Sequence, residues 1–177
     1  VEKFCDVAFS DFKFRNIGLV VLMAYEWGQR PIDIFNLKWE NIYFDLDMVK
    51  IRQSKRGARV ELPLEEPLSS LLLQQQKDWD FQQYVVPFQR PSDGAYIPFS
   101  HANSGTLFRE VKALSALPDE LKVGQLRKTA INQMIESEVD HLAIMSVTGH
   151  KNVSSLNAYV KHNLGTAKSA LNRRNKV

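Results

Sequence analysis

Two side chains near the end of the chain, His150 and Tyr159, combine a hydrogen-bond donor for a phosphate with a potential nucleophile. Gly149 is expected to end the apolar helical run from Leu142 to Val147, which leaves His150 in the connection. Ser154 is expected to cap a second short helix that carries Tyr159 in its second turn. The spacing therefore predicts that His150 and Tyr159 face one cleft.

A tyrosine hydroxyl has an ordinary pKa of about 10, so a nucleophilic tyrosine needs cations or a base beside it. Three cationic residues stand in settings that could supply this help. Arg30 lies in Gly-Gln-Arg-Pro-Ile-Asp, Arg127 lies in Gly-Gln-Leu-Arg-Lys, and Lys55 lies in a turn between two strand-like runs.

In chain order, these residues resemble the Arg, Lys, His-x-x-Arg, His/Trp, Tyr signature of the tyrosine recombinases, also called the phage integrase family. The matching positions are Arg30, Lys55, Arg127, His150 and Tyr159. Each motif alone is weak, but the ordered set is specific. The resemblance covers nearly the whole chain.

Supporting positions agree with the family pattern, with one departure. Asp33 stands three residues after the first arginine, where the family has Glu or Asp, and residues 37–42 resemble the stretch that leads into its small sheet. Gly124 stands where the histidine of His-x-x-Arg is expected, and glycine can neither donate to a phosphate nor accept a proton. Gln125, Lys122 and Lys128 are the neighbours expected to compensate in part, together with the free N–H groups at the helix start.

The resemblance implies an α+β fold that is mostly helical, with a small three-stranded antiparallel sheet. It also implies a reaction without metal, ATP or any cofactor. Tyr159 would attack the scissile phosphate to give a 3′-phosphotyrosine and a free 5′-hydroxyl, while Arg30, Arg127 and His150 neutralise the non-bridging oxygens. Lys55 would protonate the leaving 5′ oxygen, and the 5′-hydroxyl of a second strand would then reverse the reaction.

The implied partner is double-stranded DNA at a specific recombination site. The residues expected to contact it outside the catalytic set are Arg56, Lys122, Lys128 and Lys151. The resemblance further implies a tetramer on DNA and a monomer when the domain is isolated. Residues 1–177 are interpreted as one catalytic domain without the N-terminal DNA-clamping domain of similar recombinases, and residues from about 163 to 177 are expected to pack on a neighbouring subunit.

The elements that carry these residues can be read from the sequence pattern. An apolar helix is predicted from Phe12 to Trp27, ended by Gly28, and Pro31 opens a short helix that places Arg30 at a helix junction. Three strands are predicted around residues 42–44, 48–52 and 60–64, with Lys55 in the last turn and Gly57 at a positive φ.

The second half of the chain is predicted to be mostly helical. A surface helix is expected from Pro67 to Gln83, then a long irregular loop from Val85 to Ser104. Helices are expected from Thr106 to Leu117, with Leu114 turned to the core and Lys112 outside, and from about residue 122 onwards.

The composition fits one domain, since 177 residues with 44% hydrophobic content can bury a sizeable core. A net charge of +3 permits DNA binding without demanding it. The single cysteine, Cys5, excludes an internal disulfide. The apolar run at residues 17–25 is too short to cross a membrane, so a cytoplasmic protein associated with DNA, without a membrane partner, is expected.

Other functions have less support in the sequence. Neither a His-Glu-x-x-His motif, a Cys pair, a Walker loop nor a Gly-x-Ser-x-Gly elbow occurs. Gly124 keeps one alternative open, a DNA-binding module of the same fold whose catalysis is weakened or lost. A related tyrosine enzyme that relaxes supercoils or resolves hairpin ends is a further alternative.

Overall fold

A computed structural model describes residues 1–55, 57–159 and 171–172 of the chain. Its main elements are α1 (Glu2–Phe9), α2 (Phe12–Glu26), α3 (Pro31–Phe35), β1 (Ile42–Tyr43), β2 (Met48–Arg52), β3 (Arg59–Pro63), α4 (Leu68–Trp79), β4 (Pro87–Gln89), β5 (Tyr96–Pro98), α5 (His101–Leu114), α6 (Gln125–Glu136) and α7 (His141–Thr148). The predicted fold class, mostly helical with a three-stranded antiparallel sheet, is confirmed.

Helix α2 forms the centre of the domain, because it is apolar on most of its faces and packs against helices α1, α3, α4, α5 and α6. Asp11 caps its start by accepting a hydrogen bond from the backbone N–H of Lys13 at 2.8 Å. The helix ends at Trp27, and Gly28 follows at φ +57° as predicted. This turn leads directly into α3 and fixes the backbone of Arg30 at the junction.

The three-stranded sheet has the order β1-β2-β3, with Val49 opposite Leu62 and Ile51 opposite Val60. These four side chains are buried, and the residues between them are exposed, as expected for a sheet with one face on the core. Gly57 has φ +62° in the β2–β3 turn, which confirms that prediction. Residue 44 belongs to a 3-10 helix and not to β1.

The prediction of an irregular loop from Val85 to Ser104 is wrong. Strands β4 and β5 pair as an antiparallel hairpin within it. An ion pair between Arg90 and Asp93 and a positive φ of 70° at Gly94 close the hairpin turn. Residues of these types favour an irregular loop in the sequence, but here they form the turn between two strands. Ser100 then caps α5 by accepting from the N–H of Asn103, so the helix starts earlier than expected.

The predicted orientation of α5 is also partly wrong. Leu114 is 64% exposed, whereas Phe108 and Lys112 are buried. The Nζ of Lys112 donates to the carbonyl oxygen of Asp119 and lies 3.6 Å from its carboxylate. A lysine can be buried here because these two oxygens satisfy its charge at the turn between α5 and α6.

Three expectations from the sequence concern other parts of the chain. Cys5 is buried in the core, and burial raises the pKa of its thiol to about 11. Within the described part of the chain, no helix is long and apolar enough to cross a membrane. Apart from residues 171–172, the segment from 163 to 177 that was predicted to pack on a neighbouring subunit lies outside the described residues.

Candidate active site

Arg127, in the first turn of α6, is held by two backbone carbonyl groups. Its Nη1 donates to the oxygen of Gly28 at 2.8 Å, and its Nη2 donates to the oxygen of Thr148 at 2.9 Å. Within the described residues it forms no ion pair. The pKa of Arg127 is lowered to about 10, mainly by burial and next by the charge of Arg30, while Tyr159 and Asp33 oppose the shift. The guanidinium therefore keeps its positive charge at neutral pH, bound mainly to neutral groups.

Arg30 lies at the N-terminus of α3, with its side chain partly exposed. Its Nη1 donates to Oε1 of Gln53 at 3.2 Å and lies 3.8 Å from Oδ2 of Asp33. Asp33 is buried, and its Oδ1 accepts from the N–H of Ser54 at 2.7 Å. Asp33 thus connects α3 to the turn that carries Lys55 and forms an ion pair with Arg30.

Two buried glutamines, Gln29 and Gln53, join the elements around the arginines. The Nε2 of Gln53 donates to Oε1 of Gln29 at 2.8 Å and to the carbonyl oxygen of Thr148 at 2.7 Å. The Nε2 of Gln29 donates to the carbonyl oxygens of Trp27 at 2.9 Å and Val147 at 2.6 Å. All four donor hydrogens of the pair are used, so the network fixes the end of β2 against α2 and α7.

Neither glutamine was predicted from the sequence as a site residue. The available signal was their position, since Gln29 directly precedes Arg30 and Gln53 stands two residues before Lys55. Gly149 also depends on the network. It ends α7 at φ +70°, and a Cβ there would lie 2.6 Å from Nε2 of Gln53. Glycine is therefore required at 149 by backbone conformation and by space.

His150 and Tyr159 lie together, as predicted, with ring centroids 6.2 Å apart. The Nε2 of His150 lies 3.4 Å from Nη2 of Arg127, and its Nδ1 lies 2.7 Å from Oγ1 of Thr148. Tyr159 lies close enough to Arg127 to raise the pKa of the guanidinium, and it packs against a small apolar cluster that contains Ile144. The guanidinium of Arg127 therefore contacts both the imidazole and the phenol.

The local structure before Tyr159 differs from the prediction. Residues Val153–Leu156 form a 3-10 helix that begins after Asn152, so Ser154 lies inside the helix and does not cap it. Tyr159 follows in a turn, with its N–H donating to the carbonyl oxygen of Leu156 at 2.8 Å. The buried side chain of Leu156 anchors this turn to the core and so places the tyrosine.

The remaining cationic candidates lie at the rim. Lys55 is exposed in the β2–β3 turn, and the structure does not bring it into contact with the arginines. Lys122 and Lys128 flank the start of α6, and Lys151 follows His150, all three exposed. Arg56 lies outside the described residues. The structure thus brings together four of the five predicted catalytic residues and leaves the lysine beside them.

Gly124 precedes α6 with φ −63° and ψ −16°, a conformation open to every L-residue. A Cβ at this position would meet no atom within 4 Å. The neighbouring Gln125 uses its Oε1 to accept from the N–H of Lys122 at 2.9 Å. Neither the backbone nor the surrounding space therefore requires glycine at 124.

Comparisons with known proteins give the family of the chain. The profile of the phage integrase family matches residues 3–165. The tyrosine recombinase XerA of Pyrococcus furiosus is 27% identical over 179 residues, which cover 99% of this chain and 59% of that protein. The chain therefore spans about three fifths of the length of the curated relative that it matches.

Solved structures show the same fold. The crystal structure of XerA recombinase superposes with a TM-score of 0.76 at 15% identity, covering 98% of this chain and 60% of that one. The integrase of the Tn1549 transposon, in complex with a circular intermediate DNA, superposes with a TM-score of 0.77 at 15% identity, covering 97% and 63%. At this level of identity the likeness establishes the fold.

Proposed function

Since this chain belongs to the phage integrase family, we propose that it is the catalytic domain of a site-specific DNA recombinase that cleaves and rejoins strands through a 3′-phosphotyrosine. The observation that carries the proposal is the shared contact of Arg127 with His150 and Tyr159. A nucleophile, an imidazole and a cation bound to neutral carbonyls meet at one place. That set suits transfer of a phosphoryl group.

The arrangement of charge supports a phosphate ligand. The charge of Arg30 contributes to the lowered pKa of Arg127, and Asp33 is the carboxylate beside them. Because two cations are balanced by one carboxylate, the site has a net positive charge. A phosphodiester entering between the guanidinium groups would supply the missing negative charge and accept bidentate hydrogen bonds.

Cleavage would then proceed as an in-line displacement. The hydroxyl oxygen of Tyr159 bonds to phosphorus, and the bond from phosphorus to the 5′ oxygen breaks. Arg30 and Arg127 neutralise the non-bridging oxygens, and Lys55 moves from the turn to protonate the leaving oxygen. The phosphotyrosine conserves the energy of the phosphodiester, so rejoining to a second strand requires neither a nucleotide cofactor nor a metal ion.

The proposed substrate is double-stranded DNA at a defined site, with the exposed Lys122, Lys128 and Lys151 beside the backbone. Recombination between two duplexes would require four copies of the chain, one for each strand exchanged. The relative solved with a circular intermediate DNA supports this class of substrate for a protein of the same fold.

One alternative is favoured by a specific observation. Gly124 removes the histidine of the family motif, which would suit a DNA-binding module that has lost its chemistry. Covalent trapping separates the two functions. The protein is incubated with a pool of nicked duplexes of random sequence, and DNA that remains attached in SDS is amplified and sequenced. Recovery of one sequence motif by the wild type and not by Tyr159→Phe supports the recombinase, whereas recovery of none by either supports the binding module.

A further inference from the structure

The hydrogen bonds around His150 define which of its ring nitrogens carries the proton. Oγ1 of Thr148 lies 2.7 Å from the carbonyl oxygen of Ile144, which can only accept, so the hydroxyl hydrogen is given to that carbonyl. The same Oγ1 lies 2.7 Å from Nδ1 of His150 and must accept there. Nδ1 is therefore protonated. The lone pair of the neutral ring is at Nε2, where it accepts from Nη2 of Arg127 at 3.4 Å.

The imidazole and the nucleophile lie side by side. Nε2 and the hydroxyl group of Tyr159 share Arg127 as a neighbour, and the two rings are 6.2 Å apart. Among the residues that the structure describes, the charged and titratable groups around the imidazole are Arg127 on α6, Tyr159 after the 3-10 helix and, beyond Arg127, Arg30 and Asp33. The carboxylate of Asp33 accepts from the backbone N–H of Ser54 and lies 3.8 Å from Arg30, so among these groups the imidazole is the base beside the tyrosine.

We infer that His150 is the proton acceptor for Tyr159, in place of the histidine that Gly124 removes from the usual motif. This inference rests on the proposed cleavage reaction. The Tyr159 hydroxyl proton moves to Nε2 of His150 as the bond from oxygen to phosphorus forms. The leaving 5′ oxygen takes a different proton, from Lys55. On rejoining, the 5′-hydroxyl returns its proton to Lys55, and His150 returns the other to the tyrosine.

The other side chains near this site, Arg127 and Gln125, cannot accept the proton of Tyr159. The positive charge of Arg127 lies beside Tyr159 and would stabilise the phenolate, but a guanidinium cannot remove the proton. Gln125 is not a base, and its oxygen already accepts from Lys122. With glycine at 124, His150 is the basic side chain that the structure shows in contact with the arginine beside the phenol.

The His150→Trp variant tests the inference, because an indole N–H can still donate to a phosphate but has no basic lone pair. Single-turnover cleavage of the trapped nicked duplex should fall by at least roughly 10²-fold, with DNA binding retained. The wild-type rate should decline at acidic pH as Nε2 becomes protonated, and this acidic limb should be absent from the variant. Adding Gly124→His to the His150→Trp variant should raise its cleavage rate by at least about tenfold. His141→Trp, at the exposed start of α7, is the matched control and should change neither rate nor profile.

Two results would overturn the inference. One is a His150→Trp rate within a few-fold of the wild type, which would make residue 150 a phosphate donor only. The other is an Nε2–H tautomer in the nitrogen-15 NMR spectrum of the histidine ring in the free protein at neutral pH, where we expect Nδ1–H. The NMR measurement needs no DNA, so it tests His150 even if the wild type forms no covalent adduct, an outcome that would refute the proposed function itself.

Discussion

The guanidinium of Arg127 is fixed by the last residue of α7, since its Nη2 donates to the carbonyl oxygen of Thr148 at 2.9 Å. That carbonyl also accepts from Gln53 at 2.7 Å, and the hydroxyl group of Thr148 orients His150. One residue therefore positions the cation and the imidazole together. Arg127 and His150 are therefore aligned by hydrogen bonds to the end of α7.

Arg127→Lys should reduce the single-turnover cleavage rate by roughly 10²–10³-fold. A lysine keeps the charge, but a single ammonium cannot bind the carbonyl oxygens of Gly28 and Thr148 and still donate twice to a phosphate. Rates are measured on the nicked duplex with the folded fraction checked by circular dichroism. Arg90→Lys, in the β4–β5 turn, is the control and should have the wild-type rate. Equal cleavage rates for both variants would show that Arg127 has no role in the reaction.

Gln53→Met should lower the free energy of unfolding by at least about 1–3 kcal/mol, because Oε1 of Gln29 loses its buried donor. Cleavage should also slow, since Arg30 loses the acceptor that orients it. Urea unfolding and single-turnover kinetics measure the two effects. Gln74→Met, on the exposed side of α4, should change stability by less than about 0.5 kcal/mol. A stability loss without any change in rate would limit Gln53 to a role in folding.

The sequence was informative wherever a residue's own chemistry determines its place. Gly28 and Gly149 end helices at positive φ as predicted, because other residues are strained there. The network of Gln29 and Gln53 was not predictable, since its partners are 24 residues apart and a glutamine gives no sign of which acceptor it will meet. Lys112 was placed outside for the same reason, as the carbonyl that binds it belongs to a later turn.

Gly124→His should raise the cleavage rate by up to roughly 10²–10³-fold, because the imidazole adds the donor and base that the family motif has at this position. The backbone at φ −63° and the open space around it allow the side chain without strain. Gly124→Ala shares the loss of backbone freedom and lacks the imidazole, so its rate should stay near that of the wild type. A slower Gly124→His protein with an intact fold would show that glycine has a role of its own.

Cleavage should be unchanged in excess chelator, since Arg30 and Arg127 supply the positive charge that the phosphate needs. Among the residues described by the structure, no three His, Cys, Asp or Glu side chains lie close enough to hold a metal ion. Adduct formation is compared in EDTA, in magnesium and in manganese. Loss of the adduct in EDTA, restored by one divalent ion, would contradict a reaction driven by the arginines.

Identifying the residue that becomes attached to the DNA is the decisive test of the proposed cleavage reaction. The covalent complex is digested with trypsin and nuclease, and the modified peptide is sequenced by mass spectrometry. We predict a nucleotide joined through its 3′-phosphate to the hydroxyl oxygen of Tyr159, and no adduct in Tyr159→Phe, which should still bind DNA. Attachment at another residue, attachment through a 5′-phosphate, or an undiminished adduct in Tyr159→Phe would contradict it.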